Sequence, residues 1–176
     1  MTTTEKLINT IRDIKDFPKP GIVFKDITPI MMDAALSNEI VELLHSRYKD
    51  QGLDAIAGIE SRGFLFGYPL AMKLGIPFIL IRKKGKLPYD KISHAYDLEY
   101  GSATIEMHTD AIKANQKVLI HDDLLATGGS AEAAAILVEK SGGVVAGFDF
   151  LVSLEFLNGS KKIERFTDNI SNLVTY

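Results

Sequence analysis

The stretch at residues 118–130, VLIHDDLLATGGS, constrains the fold more than any other part of the chain. Its apolar start predicts a buried strand, and the alanine-rich stretch at 131–137 predicts a helix. Between them, Gly128 and Gly129 allow positive φ and a close approach of the backbone to a ligand. A strand, a glycine-rich loop and a helix in this order predict an α/β unit whose helix amino terminus is suited to an anion.

The polar residues of this stretch suit a phosphorylated sugar. Thr127 and Ser130 add hydroxyl donors to the free amides at the helix start, and the helix dipole favours negative charge. Asp122 and Asp123 would repel a phosphate, but they can accept hydrogen bonds from sugar hydroxyls or hold a metal. We therefore predict a ribose-phosphate site. The alternative is a capped helix after an acidic strand end that binds nothing.

Composition and missing motifs exclude several classes of protein. Neither G-x-x-x-x-G-K-[ST] nor G-x-G-x-x-G occurs, which argues against a Walker loop and a dinucleotide fingerprint. The net charge of −3 gives no reason to expect nucleic acid or an anionic membrane as partner. The absence of cysteine excludes disulfides and thiol catalysis. With no apolar leader and only short apolar runs, we expect one cytoplasmic domain over 1–176.

Apolar periodicity predicts the remaining elements. Thr2 and Glu5 match a capping box that opens a first helix with an apolar face reaching Ile14, and Asp33 can cap a second helix. Further predictions are strands at 53–59, 77–81, 102–108, 117–122 and 144–152, helices at 63–74 and 130–141, and an irregular polar segment at 86–96. The alternation from residue 53 onward predicts an α/β fold: a twisted, mainly parallel sheet flanked by helices, with ligands at the carboxyl ends of its strands.

Other polar and aromatic residues are candidates for binding. Arg62 near a helix start opposes the dipole, so an anionic ligand would explain it, although it could be an ordinary surface arginine. The RKKGK run at 82–86 could stabilise a diphosphate leaving group, or be a solvated charge run. Phe24 could stack on a base or belong to the core. Glu99 could be a general acid or base, or be merely solvated. The histidines lack the spacing of a zinc site.

Five segments together resemble the type I phosphoribosyltransferases, in the order found in that family: PKPGIVFKD, ESRGFLFG, LIRKKGKLP, YDLEYG and VLIHDDLLATGGS. Within the family, the LEYG and FKD segments are similar to members whose acceptor is adenine. The resemblance implies that adenine and phosphoribosyl diphosphate (PRPP) give AMP and pyrophosphate in purine salvage. It further implies a homodimer, Mg²⁺ carried mainly on PRPP, and the type I fold with a small base-binding hood from about residues 1–35.

The resemblance also implies a role for each matching residue. The 5-phosphate of PRPP would be held by Ala126, Thr127, Gly128, Gly129 and Ser130, and the ribose hydroxyls by Asp122 and Asp123. The pyrophosphate group would be bound by Ser61, Arg62, Arg82, Lys83 and Lys86, with a cis peptide bond between Glu60 and Ser61 and with Arg82 close to the dimer interface. Adenine would be bound by Val23, Phe24 and Lys25, by stacking on Phe24 and through the backbone of its neighbours. Proton transfer at the purine N7 would be managed by Glu99, and Tyr100 would move with a lid at 86–100.

The chain departs from the family pattern at three places. Lys25 stands where arginine is common, His121 stands where an aliphatic residue usually precedes the acids, and the tail after Asn158 matches weakly. Two alternatives stay open: another purine such as xanthine or guanine as acceptor, and a PRPP-sensing regulator without catalysis. Such regulators generally carry a nucleic-acid-binding module, for which this length and charge leave little room.

Overall fold

The computed structural model describes residues 1–98 and 101–176, so that Glu99 and Tyr100 lie outside the described residues. The chain divides into two compact units, Met1–Arg47 and Tyr48–Tyr176. The elements of the first unit are α1 (Thr3–Thr10), β1 (Arg12–Lys15), β2 (Val23–Asp26), α2 (Thr28–Met31) and α3 (Ala34–Tyr48), whose last residue belongs to the second unit. The predicted capping box is confirmed, since Glu5 N donates to the Thr2 hydroxyl at 3.2 Å. The predicted cap of α3 is also confirmed, because Leu36 N donates to Asp33 Oδ1 at 3.0 Å.

The predicted continuation of the first helix to Ile14 is wrong. Helix α1 ends at Thr10, and Ile11 already has extended dihedral angles of −62° and 128°. Ile14 instead pairs with Phe24 across the antiparallel hairpin of β1 and β2. Strand pairing satisfies the backbone groups that a longer helix would have used, and it overrides the weaker local helical pattern. Phe24 is accordingly a residue of strand β2.

The second unit is built on a seven-stranded sheet. Its strands are β3 (Ala55–Ile59), β4 (Phe78–Lys83), β5 (Lys91–Asp97), β6 (Ser102–His108), β7 (Lys117–Leu125), β8 (Val144–Ser153) and β9 (Ile170–Thr175), in the spatial order β5-β6-β4-β3-β7-β8-β9. Strands β4, β3, β7, β8 and β9 are mutually parallel, whereas β5 and β6 form an antiparallel ribbon at one edge. The prediction of a mainly parallel sheet is confirmed.

Helices cover both faces of this sheet. The helices of the unit are α4 (Gly63–Leu74), α5 (Gly129–Lys140) and α6 (Ser160–Ile163). Val118 and Ile120 of β7 share a buried cluster with Leu137 of α5. Because strand side chains alternate between faces, Leu119 and His121 point to the opposite face, toward α4. There a Cβ on Gly67 would lie 3.2 Å from the His121 ring, so that glycine permits the close packing of α4 on the sheet.

His121 takes part in a buried polar network. Its Nδ1 lies 2.8 Å from Asp149 Oδ2 on the neighbouring strand, and the hydroxyl of Tyr48 donates to Asp149 Oδ1 at 2.8 Å. All three residues are almost completely buried. A buried polar residue is tolerated when its partners replace the lost water. Nδ1 of His121 therefore has a specific partner on β8, whereas its buried Nε2 has no hydrogen-bond partner among the described residues.

Three predicted boundaries need correction. The segment 86–96 is not wholly irregular, because Lys91–Asp97 forms β5, which pairs with β6 in seven consecutive residue pairs. Strand β7 does not end at Asp122, as predicted, but continues to Leu125, so that both acids lie within the strand. Beyond Asn158, α6 and β9 were not predicted. In each case pairing with a distant part of the chain supplies the stabilisation that local sequence does not reveal.

Candidate active site

Residues 126–130 form a glycine loop between β7 and the start of α5. Gly128 has a φ of 80°, a left-handed conformation that glycine adopts without steric cost. The loop lines a cavity of about 120 Å³ together with Tyr96, Asp97 and Leu98 from the end of β5. The first amide groups of a helix have no partner within the helix and can bind an anion. The geometry is therefore suited to an anion, phosphate binding at this loop stays a prediction, and the end of β5 also contributes to the lining.

The adjacent acids differ in their surroundings. Asp123 is only 4% exposed, and its Oδ2 lies 2.7 Å from Nε of Arg62. Asp122 accepts a hydrogen bond at Oδ1 from the backbone N–H of Asp123 at 2.8 Å. Arg62 sits at the N-cap position of α4, so its charge opposes the helix dipole. The structure thus brings the predicted arginine and the predicted acids together at the carboxyl ends of two adjacent strands, β3 and β7.

Ionisation of Asp122 is disfavoured. Desolvation raises the pKa of its carboxyl well above the usual range, and the nearby charge and hydrogen bonding of Asp123 act in the same direction. The Asp123 N–H and the Arg62 charge only partly oppose this effect. Placing two carboxyl groups close together in a buried site raises the free energy of their charged forms. Hydrogen bonds donated by the hydroxyl groups of a bound sugar would lower that free energy.

We expect Asp122→Asn to stabilise the ligand-free protein. Because the folded pKa of Asp122 is raised, the contribution of this group to wild-type stability is most favourable below the unfolded pKa, about 4, and is lost as pH rises toward the folded value. Asparagine stays neutral and keeps an oxygen that can accept from Asp123 N–H. The Tm of the variant should therefore exceed that of wild type, by a margin that widens from pH 4.5 to pH 8. A margin that stays constant or shrinks over that range contradicts the argument.

A second, more polar cavity lies beside these acids. It has a volume of about 320 Å³ and is lined by Glu60, Ser61, Arg62, Lys83, Asp122 and Asp123. The peptide bond between Glu60 and Ser61 is cis, as the resemblance implied. Ser61, Arg62 and Lys83, three of the residues predicted for pyrophosphate, therefore share one lining with the two acids.

Among the described residues, Arg82 and Lys86 lie outside that lining. Arg82 Nε donates to Glu60 Oε2 at 3.2 Å, and Arg82 Nη1 donates to the carbonyl oxygen of Lys86 at 3.1 Å. Although desolvation acts to raise the pKa of Glu60, hydrogen bonds from Arg82 and Lys83 N–H, together with the charges of Arg82 and Lys86, lower it. Glu60, which the sequence did not single out, thus fixes the end of β4 and leaves Lys83 to line the cavity.

The residues predicted to bind the base lie on the hairpin of the first unit. Val23 is 47% exposed and begins β2, and the ring of Phe24 packs edge-on against Phe17 at 5.2 Å between centroids. Lys25 Nζ lies 2.7 Å from Asp13 Oδ1. The hairpin turn is held by Asp16, whose Oδ1 accepts from Gly21 N at 2.7 Å. These contacts present a stiff strand with an aromatic ring, which suits stacking.

Two predicted residues, Glu99 and Tyr100, lie outside the described residues, so their roles stay predictions. Tyr96, a further residue at this site, lines the cavity at the glycine loop and interacts electrostatically with Asp122. Desolvation and the charge of Asp122 raise the pKa of its hydroxyl. The backbone of Gly159 lies against residues 126–128, and the sequence at Asn158–Gly159 indicates only a turn. Nothing local to either residue shows that it lies beside the loop.

The fold and these two cavities define a class of protein, the phosphoribosyltransferases. The family model described as "Phosphoribosyl transferase domain" matches residues 30–161. An adenine phosphoribosyltransferase of Cytophaga hutchinsonii is 49% identical over 100% of both chains. The chain therefore belongs to the adenine phosphoribosyltransferase family, and the predicted family resemblance is confirmed.

Solved structures agree with this assignment. The crystal structure of adenine phosphoribosyltransferase from Thermoanaerobacter pseudethanolicus has a TM-score of 0.94 and 47% identity, covering 98% of this chain and 99% of that one. The enzyme from Saccharomyces cerevisiae, complexed with adenine and an imino-altritol bisphosphate, has a TM-score of 0.90 and 36% identity, covering 97% and 98%. Separately, none of the helices in the described residues is long and apolar enough to cross a membrane.

Proposed function

We propose that this chain transfers the phosphoribosyl group of PRPP to adenine, giving AMP and pyrophosphate in purine salvage. The observation that carries the proposal is the arrangement of β3 and β7, whose adjacent carboxyl ends carry a polar cavity with two cations and a glycine loop at a helix start. PRPP carries a phosphate at one end and a diphosphate at the other, with a ribose between. Asp122 and Asp123, which lie in sequence immediately before the glycine loop, match the place of the ribose.

The charges of the described residues suit the bond that breaks. Substitution at the anomeric carbon develops positive charge on the ribose ring and negative charge on the departing diphosphate. The carboxylate of Asp123 would stabilise the first, joined by that of Asp122 once hydrogen bonds from the ribose hydroxyls favour its ionisation, and Arg62 and Lys83 would stabilise the second. These groups are held in place before substrate arrives, since Arg62 is paired with Asp123 and Lys83 N–H with Glu60 at 2.9 Å. Such preorganisation lowers the barrier because no reorientation is needed during the reaction.

We propose that Mg²⁺ accompanies PRPP rather than residing in the protein. The donor set supports this, because Asp122 Oδ1 and Asp123 Oδ2 are already engaged by Asp123 N–H and Arg62. These residues can hold the waters of a cation whose main ligands are the diphosphate and ribose oxygens. When bound, the ion adds positive charge beside the diphosphate. We also place the reaction in the cytoplasm, since so highly charged a donor does not cross a bilayer unaided.

Adenine recognition is proposed for Val23, Phe24 and Lys25. The strand backbone on either side of Phe24 offers donors and acceptors to the edge of the base, and the ring offers a stacking face. Stacking of a base on an aromatic ring is worth roughly 1–3 kcal/mol. Strand β2 is fixed by its pairing with β1, so little ordering is needed on binding.

We expect Phe24→Ala to raise the adenine KM by roughly 5- to 150-fold, which corresponds to the loss of about 1–3 kcal/mol of stacking. The effect on kcat should be smaller, because stacking stabilises the bound base and the transition state alike. Steady-state kinetics with varied adenine at saturating PRPP measures both constants. Phe156→Ala, which removes a ring that is 70% exposed on the other unit, is the control. An unchanged adenine KM in Phe24→Ala would mean that Phe24 contributes to packing and does not bind the base.

We further propose that the protein is a homodimer that uses the outer face of α4. Leu65, Tyr68 and Met72 recur at helical spacing on α4 and are 41%, 53% and 65% exposed. Leu80 of β4 is also 41% exposed. Apolar side chains of this size, grouped on one helix face, are typical of protein interfaces. A second copy is the occupant that a self-complementary apolar face favours.

Tyr68→Asp should shift the protein toward monomer, because a buried, unpaired charge at an interface costs several kcal/mol. Light scattering coupled to size-exclusion chromatography measures the mass directly. Met32→Asp is the matched control, since Met32 is 76% exposed but lies on the first unit. The interface assignment fails if Tyr68→Asp keeps the mass of the wild-type protein, or if Met32→Asp dissociates it equally.

One assay separates the proposed function from its two alternatives. PRPP turnover is followed spectrophotometrically with adenine, hypoxanthine, guanine, xanthine and orotate. Turnover with adenine alone supports the proposal. Faster turnover with another purine would mean that this purine, and not adenine, is the acceptor. PRPP binding without turnover of any base would instead indicate a regulator that has kept the fold.

A further inference from the structure

The backbone of Gly159 lies directly against the phosphate loop. A Cβ added to Gly159 would overlap the carbonyl oxygen of Ala126 and would lie 3.0 Å from the amide nitrogen of Gly128. In the other direction, a Cβ added to Gly128 would lie 2.5 Å from the carbonyl oxygen of Gly159. Two glycines from distant parts of the sequence therefore meet backbone to backbone, at a separation that leaves no space for a side chain on either.

Gly159 is not required by its backbone conformation. Its φ and ψ are −61° and −28°, which every L residue adopts readily. The close approach to residues 126–128 is therefore the reason that a side chain cannot be accepted there. Gly128 differs, because its φ of 80° independently favours glycine.

The segment that carries Gly159 is anchored away from the loop. Ile163 of α6 is completely buried in the cluster that contains α5 residues such as Leu137. The carbonyl oxygen of Gly159 accepts a hydrogen bond from Lys162 N at 3.2 Å. Arg165 lies 3.2 Å from Glu132 Oε1 in the first turn of α5. These contacts hold the backbone of Gly159 in a fixed position.

We propose that Gly159 is a positioning residue for the 5-phosphate of PRPP. The fixed backbone of Gly159 limits the path of the chain from Ala126 to Gly128. It therefore determines the directions in which the amide groups of the loop point. Hydrogen bonds to an anion weaken steeply when the donor is misdirected. Gly159 acts through this loop and needs no contact with the substrate. The inference rests on the proposed function, since it takes the loop to be the site of that phosphate.

Gly159→Ala tests the proposal with two ligands, ribose 5-phosphate and pyrophosphate, that are proposed to occupy different parts of the site. We expect the Kd of ribose 5-phosphate and the KM of PRPP to rise about tenfold or more, equivalent to one lost charge-assisted hydrogen bond. The Kd of pyrophosphate, which is proposed to bind at Ser61, Arg62 and Lys83, should stay within about twofold of wild type. Isothermal titration calorimetry provides both dissociation constants without requiring turnover.

Gly147→Ala is the matched control. Gly147 is buried with ordinary dihedral angles, and a Cβ there would lie 2.6 Å from Asn169 Nδ2, near the start of β8 and away from the phosphate loop. It should lower Tm but leave ribose 5-phosphate binding unchanged. If Gly159→Ala weakens ribose 5-phosphate and pyrophosphate equally, or weakens neither, Gly159 has only a structural role and the proposal fails.

Hydrogen exchange of the wild-type protein provides a second test if Gly159→Ala does not fold. Saturation with ribose 5-phosphate should slow amide exchange in 158–163 as well as in 126–131, because the two backbones are in contact. Protection confined to 126–131 overturns the proposal. Failure of the proposed function is a distinct outcome, namely wild-type protein that neither binds ribose 5-phosphate nor turns over PRPP.

Discussion

Asp122→Asn and Asp123→Asn should each weaken the use of PRPP by roughly ten- to a hundredfold, because hydrogen bonds from the ribose hydroxyls to a carboxylate, which Asp122 becomes once the sugar binds, are worth about 1.5–3 kcal/mol. Asp123→Asn has a further effect, since Arg62 loses the carboxylate that lies 2.7 Å from its Nε. Steady-state kinetics should show this loss in the KM and in kcat/KM for PRPP. The adenine KM should change little, because the proposed base residues lie on another strand.

The control for this pair is Asp50→Asn, which removes an exposed carboxylate away from both cavities. Tm measurements on all variants separate loss of binding from loss of folding. Asp122→Asn is the sharper case, because the same substitution is expected to raise Tm while it lowers PRPP affinity. If both single variants keep normal PRPP affinity, the assignment of the acids to the ribose is wrong.

Glu99→Gln should lower kcat by about 10²- to 10⁴-fold, the contribution of a well-placed proton-transfer group. The prediction rests on the role at the purine N7 that the family resemblance implies for this residue. Glutamine keeps the shape of the side chain but cannot carry the proton. Adenine binding should therefore be nearly unchanged, and the pH profile of kcat should lose the limb that belongs to this carboxyl group.

Glu164→Gln is the control for this experiment, because Glu164 is an exposed carboxylate at the end of α6. Pre-steady-state kinetics should show that the chemical step, rather than product release, is slowed in Glu99→Gln. A kcat close to that of wild type would mean that Glu99 is a solvated loop residue and that the proton is managed elsewhere.

The part of the site that could be predicted is the part encoded in short stretches. The glycine loop, the acids before it and Arg62 at the start of α4 each carry a local signature of strand, turn and helix start. Local patterns gave the bounds of α4 and β6 correctly for the same reason. In these stretches the residues that bind and the residues that form the backbone geometry are neighbours in sequence.

What could not be predicted depends on pairing across long distances. Lys91–Asp97 has no strong local pattern and becomes a strand because β6 is available to pair with it. Ile14 continues a helical periodicity, yet its strand partner Phe24 determines its conformation. Gly159 contacts Gly128, and Glu60 accepts a hydrogen bond from Arg82. The residues of each pair are too far apart in the sequence for a local pattern to indicate the contact. These contacts required the three-dimensional structure.

The hairpin of β1 and β2 has a consequence for how acceptor preference can change. Its turn, its ion pair between Lys25 and Asp13 and its aromatic contact are all internal to Met1–Arg47. The residues proposed to bind the sugar donor all lie in Tyr48–Tyr176. Substitutions that retune the base can therefore accumulate in the hairpin without disturbing the donor chemistry. A mutant library confined to 22–26 is the natural starting point for evolving a new nucleobase specificity, because most of its members should retain PRPP binding.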